Sequence, residues 1–221
     1  MSTAAKVRDE IENGSEQFWH PEDFADWGDY EAIMRELARM VTAGLLQRIR
    51  RGLYWSGLSQ PSPLRVAKEL MGEGGLGLAG QAAACELGLS KNQPEKPLIA
   101  IPKRPPRLSK DEQSRVEYIS RAGRDGRREE NLQEAEVAIL EVLAAPEMIE
   151  VGRKRGTTIL INIVKESRAD ALARAAATED AVVREGLRQL LPAAGFAAEA
   201  KLIPPVRSSD ARARAFQPLV A

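Results

Sequence analysis

Residues 21–55 read PEDFADWGDYEAIMRELARMVTAGLLQRIRRGLYW, and this stretch decides the fold of the N-terminal part of the chain. Pro21 suits the first position of a short helix, because its fixed φ angle is already helical, and Gly28 ends that helix after about two turns. A longer helix is predicted from about 30 to 43, and Gly44 supplies the left-handed residue that ends it. Apolar residues recur in this longer helix at helical spacing: Ile33, Leu37, Met40 and Val41.

The arginine-rich stretch 46–51 follows this helix and predicts a β-hairpin. Its side chains alternate as on the two faces of a strand: Leu46, Arg48 and Arg50 on one, Gln47, Ile49 and Arg51 on the other. Gly52 can turn the chain into a second strand over 53–55, where Leu53 points inward. Residues 3–13 predict a further helix, which precedes this stretch. The predicted order of elements is therefore helix, short helix, tight turn, helix, hairpin. That is the order of elements in a winged helix-turn-helix.

The composition excludes several classes of protein. The 32 basic residues balance 32 acidic ones, so any attraction to nucleic acid or membrane has to be local. A single cysteine, Cys85, excludes an intramolecular disulfide framework and suits a reducing compartment. The charged first twenty residues lack the apolar core of a signal peptide, and no window approaches the length of a membrane span. We therefore expect a soluble cytoplasmic protein that does not contact a membrane.

The remaining sequence predicts a second, mixed domain, so the expected fold class is α+β. Residues 56–63 are rich in Ser, Gly and Pro and indicate a linker. Strands are predicted over 96–102, 116–120 and 157–164, and helices over 132–144, 168–177 and 179–191. The β-branched run TTILINIV makes 157–164 the strongest strand candidate. The expected domains are a winged helix-turn-helix over 1–57, an α+β domain over 58–203 and a poorly ordered C-terminal tail over 204–221.

The charge of the N-terminal domain is polarised. Residues 1–34 are acidic, whereas 35–51 carry five arginines against one acid, Glu36. A helix fits the major groove of B-DNA, and a basic hairpin behind it adds a second contact with phosphates. The candidate DNA-binding residues are Tyr30 at the helix start, Arg35 and Arg39 in the groove, and Arg48, Arg50 and Arg51 on the wing, with Gly52 at its turn. The competing interpretation is a small helical domain whose arginines are solvated or paired with neighbouring glutamates.

Other motifs give weaker signals. GLGLAG, residues 75–80, matches the G-x-G-x-x-G pattern, but it follows a helix and no acidic residue ends the next predicted strand, so we expect a flexible loop and no nucleotide cofactor. His20 is the only histidine, which excludes a usual zinc site, and Cys85 in its small apolar context indicates a buried core thiol. No metal, cofactor or enzyme activity is expected. The basic region 103–128 is either a further phosphate-contacting surface or a solvated loop.

Two segments resemble the AbiEi-type antitoxin family. Residues 21–55 are similar to the family's N-terminal winged helix, which ends in the pattern GxLxRxxRGxY, matched here by Gly44, Leu46, Arg48, Arg51, Gly52 and Tyr54. Residues 77–101 are similar to the family's G-x-x-A-A-x-x-L-G-L…P segment, matched by Gly80, Ala83, Leu87, Gly88, Leu89 and Pro94. Asp29 and Glu31 depart from the more basic first helical turn of many relatives, which shifts weight to Arg35, Arg39 and the wing.

The resemblance implies a DNA-binding autorepressor and antitoxin, encoded beside a nucleotidyltransferase-like toxin that it neutralises. Its expected partners are double-stranded DNA of its own promoter, with inverted repeats, and that toxin. One alternative is a protein-interaction module whose winged helix binds the toxin without recognising DNA. Another is an enzyme that uses the glycine-rich stretch 75–80.

Overall fold

The computed structural model describes residues 1–72, 74–105 and 114–219. The chain divides into two compact units, Met1–Val66 and Ala67–Ala221. Helices and two small three-stranded sheets make up the fold, which confirms the expected α+β class. Within the described ranges, no helix has both the length and the apolar character needed to cross a membrane.

The first unit combines helices with a small antiparallel sheet. Its elements are α1 (Thr3–Asn13), β1 (Phe18–Trp19), a 3-10 helix (Pro21–Trp27), α2 (Tyr30–Thr42), β2 (Gln47–Arg50) and β3 (Leu53–Trp55). The strand order is β1-β3-β2, and β3 pairs antiparallel with both neighbours. The two-residue strand β1 is not evident from the sequence, because it forms only where Phe18 and Trp19 meet Trp55 and Tyr54 across the sheet.

The core of this unit explains why its helices form. Val7 and Ile11, four residues apart on α1, are buried against Leu37 and the other apolar residues of α2. Trp19 stacks on Phe24 of the 3-10 helix, with ring centroids 5.3 Å apart. The apolar spacing seen in the sequence is therefore the packed face of each helix, and it leaves the opposite face of α2 in solvent.

The second unit surrounds a mixed sheet with helices. Its elements are α3 (Pro63–Met71), which begins just before the unit boundary, β4 (Gly77–Ala79), α4 (Gly80–Glu86), β5 (Leu98–Ile101), β6 (Glu117–Ser120), α5 (Gly126–Glu129), α6 (Glu134–Ala144), α7 (Arg153–Glu166), α8 (Ala169–Ala175), α9 (Ala181–Ala193) and α10 (Ser209–Arg214). Strand β5 lies between β4, which is antiparallel to it, and β6, which is parallel. Helix α6 is buried from Glu136 to Leu143 and forms the centre of this core.

The prediction of a strand over 157–164 is wrong, because these residues lie in helix α7. Its buried residues are Gly156, Thr157, Leu160 and Val164, and the spacing of three and four between the last three places them on one helical face. The β-branched residues on the other faces favour a strand locally, but burial of this face outweighs that preference of at most about 1 kcal/mol per residue.

The glycine-rich stretch 75–80 is not a flexible loop, since it contains strand β4 and runs directly into α4. A Cβ on Gly75 would lie 2.9 Å from the carbonyl carbon of Arg127, and one on Gly77 would lie 2.9 Å from the carbonyl oxygen of Glu134. These glycines therefore allow close packing against α5 and α6, which accounts for the motif without a phosphate ligand.

The C-terminal segment also differs from the expectation of a poorly ordered tail. Helix α10 forms within it, and Phe216 is 6% exposed in the core of the second unit. Two hydrogen bonds hold the residues that follow: the Nε of Arg153 donates to the carbonyl oxygen of Gln217 at 3.0 Å, and the amide of Leu219 donates to Thr157 Oγ1 at 3.0 Å. The described part of this segment belongs to the packed unit.

Three arginines of the basic region 103–128 form a buried ionic cluster rather than a surface. Arg127 is fully buried, and its Nε and Nη1 atoms lie 2.5 Å and 2.6 Å from carboxylate oxygens of Glu179 and Glu141. Arg121 donates to both carboxylate oxygens of Glu141, at 2.7 Å and 2.6 Å, and Arg124 pairs with Glu179 at 3.3 Å. These guanidinium groups are therefore not available to phosphates. Residues 106–113 of the same region lie outside the described residues.

Because of this buried ionic cluster, we expect the folded protein to lose stability at low pH. Burial raises the pKa of Glu141, but the hydrogen bond from Arg121 and the charge of Arg127 outweigh it, so this pKa lies below the ordinary 4.5. A carboxyl whose pKa is lower in the folded state contributes stability that is complete above its unfolded pKa and is lost as the pH falls through its folded pKa. We expect the thermal unfolding midpoint to fall as the pH is lowered from about 6 to about 3, and Arg121→Ala to make that fall shallower. Equal slopes for the two proteins would contradict this account.

Candidate nucleic-acid interface

The solvent face of α2 follows from its buried face. Because Ile33, Leu37 and Met40 point into the core, four residues on the opposite side are exposed: Glu31, Arg35, Ala38 and Thr42. Arg35 lies near the middle of this face, where its Nε donates to the carbonyl oxygen of Glu31 at 3.2 Å. Ala38 and Thr42 on the same face have short side chains.

Tyr30 lies on the first turn of α2, towards the hairpin. Its side chain is 56% exposed, which is unusual for so large an aromatic residue. The pKa of the Tyr54 hydroxyl on β3 indicates that Tyr30 is nearby. Burial raises this pKa, the charge of Arg48 lowers it, and Tyr30 raises it. Arg48 and Tyr54 are opposite each other across the hairpin. Tyr30, Tyr54 and Arg48 therefore lie in one neighbourhood, at the junction of α2 and the hairpin.

The hairpin presents its arginines to solvent. Arg48 and Arg50 are exposed on β2, alternating with the half-buried Gln47 and Ile49, and Arg51 is exposed at the turn. The pairing of β2 with β3 is irregular between Arg48, which is opposite Tyr54, and Arg50, which is opposite Leu53. Gly52 has a φ of +76°, a conformation that side chains rarely adopt, and Leu53 behind it is fully buried. Within the described residues, none of the three guanidinium groups makes a hydrogen bond or an ion pair.

Glu36 is the residue that the sequence analysis missed. It is 1% exposed on α2, and its two carboxylate oxygens lie 2.5 Å from Arg8 Nη2 and 3.3 Å from Arg39 Nη1. Arg39, expected in the groove with Arg35, is therefore held at the edge of the exposed face nearer to α1. A signal was present in the sequence, since Glu36 stands three residues after Ile33 and four before Met40, at the border of the apolar stripe.

Arg65 shows that not every arginine near this sheet is free to bind a ligand. Its guanidinium lies 4.2 Å from the ring centroid of Trp55 and 5.8 Å from that of Phe18, and its Nη2 donates to the Glu16 carbonyl oxygen at 3.2 Å. This arginine covers the aromatic side of the sheet and stabilises it. Within the part of the chain that the structure describes, Arg48, Arg50 and Arg51 make no comparable ring contact or hydrogen bond.

His20 and Cys85, the other residues considered from the sequence, have ordinary surroundings within the fold. The amide of His20 donates to the Asp23 carboxylate at 2.7 Å, at the start of the 3-10 helix. Cys85 is half-buried rather than a core thiol, and it lines a surface pocket of about 380 Å³ with Leu78 and Pro94 among its neighbours. Among the described residues, no three His, Cys, Asp or Glu side chains are grouped so that they could hold a metal ion.

The comparisons with known proteins were as follows. No family model matches the chain, and no curated protein matches it. Among solved structures, the chain is similar to the crystal structure of the RV2827C protein from Mycobacterium tuberculosis, with 18% sequence identity and a TM-score of 0.47. That alignment covers 99% of this chain and 84% of the other.

Proposed function

We propose that the first unit is a winged helix-turn-helix that binds double-stranded DNA, and that the chain is a transcriptional autorepressor and antitoxin. The observation that carries the DNA-binding part is the hairpin, where Arg48, Arg50 and Arg51 are exposed and, among the described residues, none of their guanidinium groups makes a hydrogen bond or an ion pair. Arginines that a fold does not use for its own stability are free to neutralise phosphates. The resemblance to the AbiEi-type antitoxins supports the regulatory part.

In this proposal α2 enters the major groove and the hairpin is the wing. Arg35 reads base edges from the middle of the exposed face, where a guanidinium can make two hydrogen bonds to guanine. Tyr30 contacts the sugar-phosphate backbone at the start of the helix. Arg48, Arg50 and Arg51 hold phosphates beside the groove, and Gly52 permits the turn between them. The exposed Glu31 would favour cytosine over other bases near Arg35, because a carboxylate accepts from the cytosine amino group.

The biological partners follow from the same proposal. The DNA is the promoter of the chain's own gene, bound as inverted repeats by two copies of the chain. The second partner is a nucleotidyltransferase-like toxin, which the second unit counteracts in the cytoplasm without any enzymatic activity of its own. A neighbouring reading frame of that class would support this part of the proposal.

A second candidate function is a protein-interaction module that binds the toxin without DNA. It is favoured by four exposed large apolar or aromatic residues of the first unit: Met1 at 84%, Tyr30 at 56%, Leu45 at 45% and Leu58 at 99%. Solvent-exposed side chains of this size are typical of protein contacts when they cluster. Co-purification of the two proteins, together with no binding to the upstream DNA, would favour this candidate over the first.

Arg35→Ala tests the proposed reading of bases. We expect the variant to lose preference for the promoter duplex over a shuffled duplex by about 5-fold to 100-fold, the range for one bidentate base contact. The measurement is fluorescence anisotropy with both duplexes at one salt concentration. Arg35→Lys serves as the control for charge, since it retains the cation but not the two-pronged geometry, and it should lose preference as well. Unchanged preference in both variants would exclude Arg35 as a base-reading residue.

A further inference from the structure

The buried carboxylate of Glu36 connects two helices of the first unit. Arg8 belongs to α1 and Arg39 to α2, and each places a guanidinium nitrogen on a different oxygen of this carboxylate, at 2.5 Å and 3.3 Å. The Glu36 side chain is 1% exposed, whereas those of Arg8 and Arg39 are 51% and 70% exposed. The carboxylate is thus inside the fold and both cations are at its surface.

The charges of this group do not cancel. One carboxylate faces two guanidinium groups, which leaves one positive charge at the surface. Each guanidinium has five N–H donors and uses only one of them on Glu36, so most donors remain directed to solvent. A carboxylate that bridges two arginines also restricts their rotamers, which lowers the entropy lost when they bind a ligand.

Arg39 and Tyr30 are nine residues apart on α2, which places them on opposite sides of its axis. On a helix each residue turns by about 100°, so Arg39 and Glu36 lie on the edge of α2 nearer to α1, whereas Tyr30 lies on the edge nearer to the hairpin. Arg35 stands between the two edges. A DNA helix lying along the exposed face of α2 would therefore meet hairpin arginines on one flank and the Arg8–Arg39 pair on the other.

We propose that Arg8 and Arg39 hold a DNA phosphate together, and that Glu36 is the positioning residue that fixes them for it. This inference rests on the proposed DNA-binding function and adds a contact on α1 that the sequence analysis did not include. It also gives Arg39 a different task from Arg35: Arg39 supplies affinity for any duplex, and Arg35 supplies sequence preference.

We call the proposed phosphate contact of Arg8 and Arg39 the clamp. Arg8→Ala tests it, with Lys6→Ala as the matched control. Lys6 is an exposed cation on the same helix, but it is about 160° away from Arg8 around the axis. We expect Arg8→Ala to lower the slope of log K against log salt by about 0.9 and to weaken binding about 5-fold at 0.15 M salt, equally for promoter and shuffled duplexes. Arg8→Lys should restore the slope, because a phosphate contact needs the charge, and Lys6→Ala should leave it unchanged.

Glu36→Gln tests the positioning role. Removing a negative charge near DNA should by itself strengthen binding, but the clamp account predicts weaker binding, since both arginines lose the group that orients them. The thermal unfolding midpoint of each variant shows whether it folds, and Arg8→Ala and Arg8→Lys, at an exposed position, carry the test if Glu36→Gln does not fold.

The outcomes separate the clamp from the proposed function. A full-length chain that binds no DNA overturns both. A chain that binds DNA while Arg8→Ala and Lys6→Ala have the same salt slope overturns the clamp alone. Tighter binding by folded Glu36→Gln shows that Glu36 is only a repulsive charge and overturns its positioning role.

Discussion

Arg127→Met should lower the free energy of unfolding by about 3–5 kcal/mol, the cost of removing one partner from a buried ion pair. The variant leaves the carboxylates of Glu179 and Glu141 buried, and Glu179 loses both of its hydrogen bonds from Arg127, at 2.5 Å and 2.8 Å. Arg121 compensates part of the charge on Glu141. Urea denaturation followed by circular dichroism measures the loss.

The neighbouring Arg128→Met is the matched control. Arg128 has a 53% exposed side chain and a single long ion pair with Asp125, at 3.6 Å, so its replacement should change the free energy of unfolding by less than about 0.5 kcal/mol. Similar unfolding curves for the two variants would show that the buried cluster is not needed for the stability of the second unit. A much larger loss for Arg127→Met supports its assignment as a structural group rather than a phosphate-binding one.

The triple variant Arg48→Ala, Arg50→Ala, Arg51→Ala should weaken DNA binding on the order of 100-fold at 0.15 M salt. Each phosphate contact that is lost lowers the slope of log K against log salt by about 0.9, so three contacts lower it by up to about 2.7. The loss should be equal for the promoter and for shuffled DNA, because phosphates carry no sequence information. Binding titrations over a salt series measure both quantities.

A variant with lysine at the same three positions distinguishes the loss of positive charge from a disruption of the fold. It should retain most of the salt slope, since a lysine ammonium also neutralises a phosphate. The buried hairpin residues Leu53 and Tyr54 are unaltered in both variants, so neither should change the thermal unfolding midpoint by more than a few degrees. Wild-type affinity and slope in the triple alanine variant would exclude the hairpin from the DNA contact.

The helices and the hairpin of the first unit could be predicted from the sequence because their signals are local. Apolar residues at spacings of three and four identify the buried face of α2, and Gly44 and Gly52 both have a φ of +76° where the chain has to turn. The exposure of Arg35 follows from the same spacing, whereas strand alternation places Arg51 on the face of Ile49 and does not by itself predict that all three hairpin arginines are exposed. These features need no knowledge of distant parts of the chain.

The ionic clusters could not be predicted because they depend on tertiary proximity. Arg127 is 14 residues from Glu141 and 52 from Glu179, and Arg8 is 28 residues from Glu36. A run of arginines has the same composition whether its partners are phosphates, water or buried carboxylates. The helix over 157–164 was missed for the same reason, since the core that buries Leu160 and Val164 outweighs the local preference of β-branched residues.

The most direct test of the DNA-binding claim is a titration of the full-length protein against the duplex upstream of its own reading frame and against a shuffled duplex. Fluorescence anisotropy should be followed from about 50 to 200 mM salt, where counterion release makes phosphate contacts visible. We expect at least about a 1,000-fold preference for the upstream duplex and a steep loss of affinity with salt. Equal affinity for the two duplexes, or no binding at the lowest salt concentration, would contradict the account.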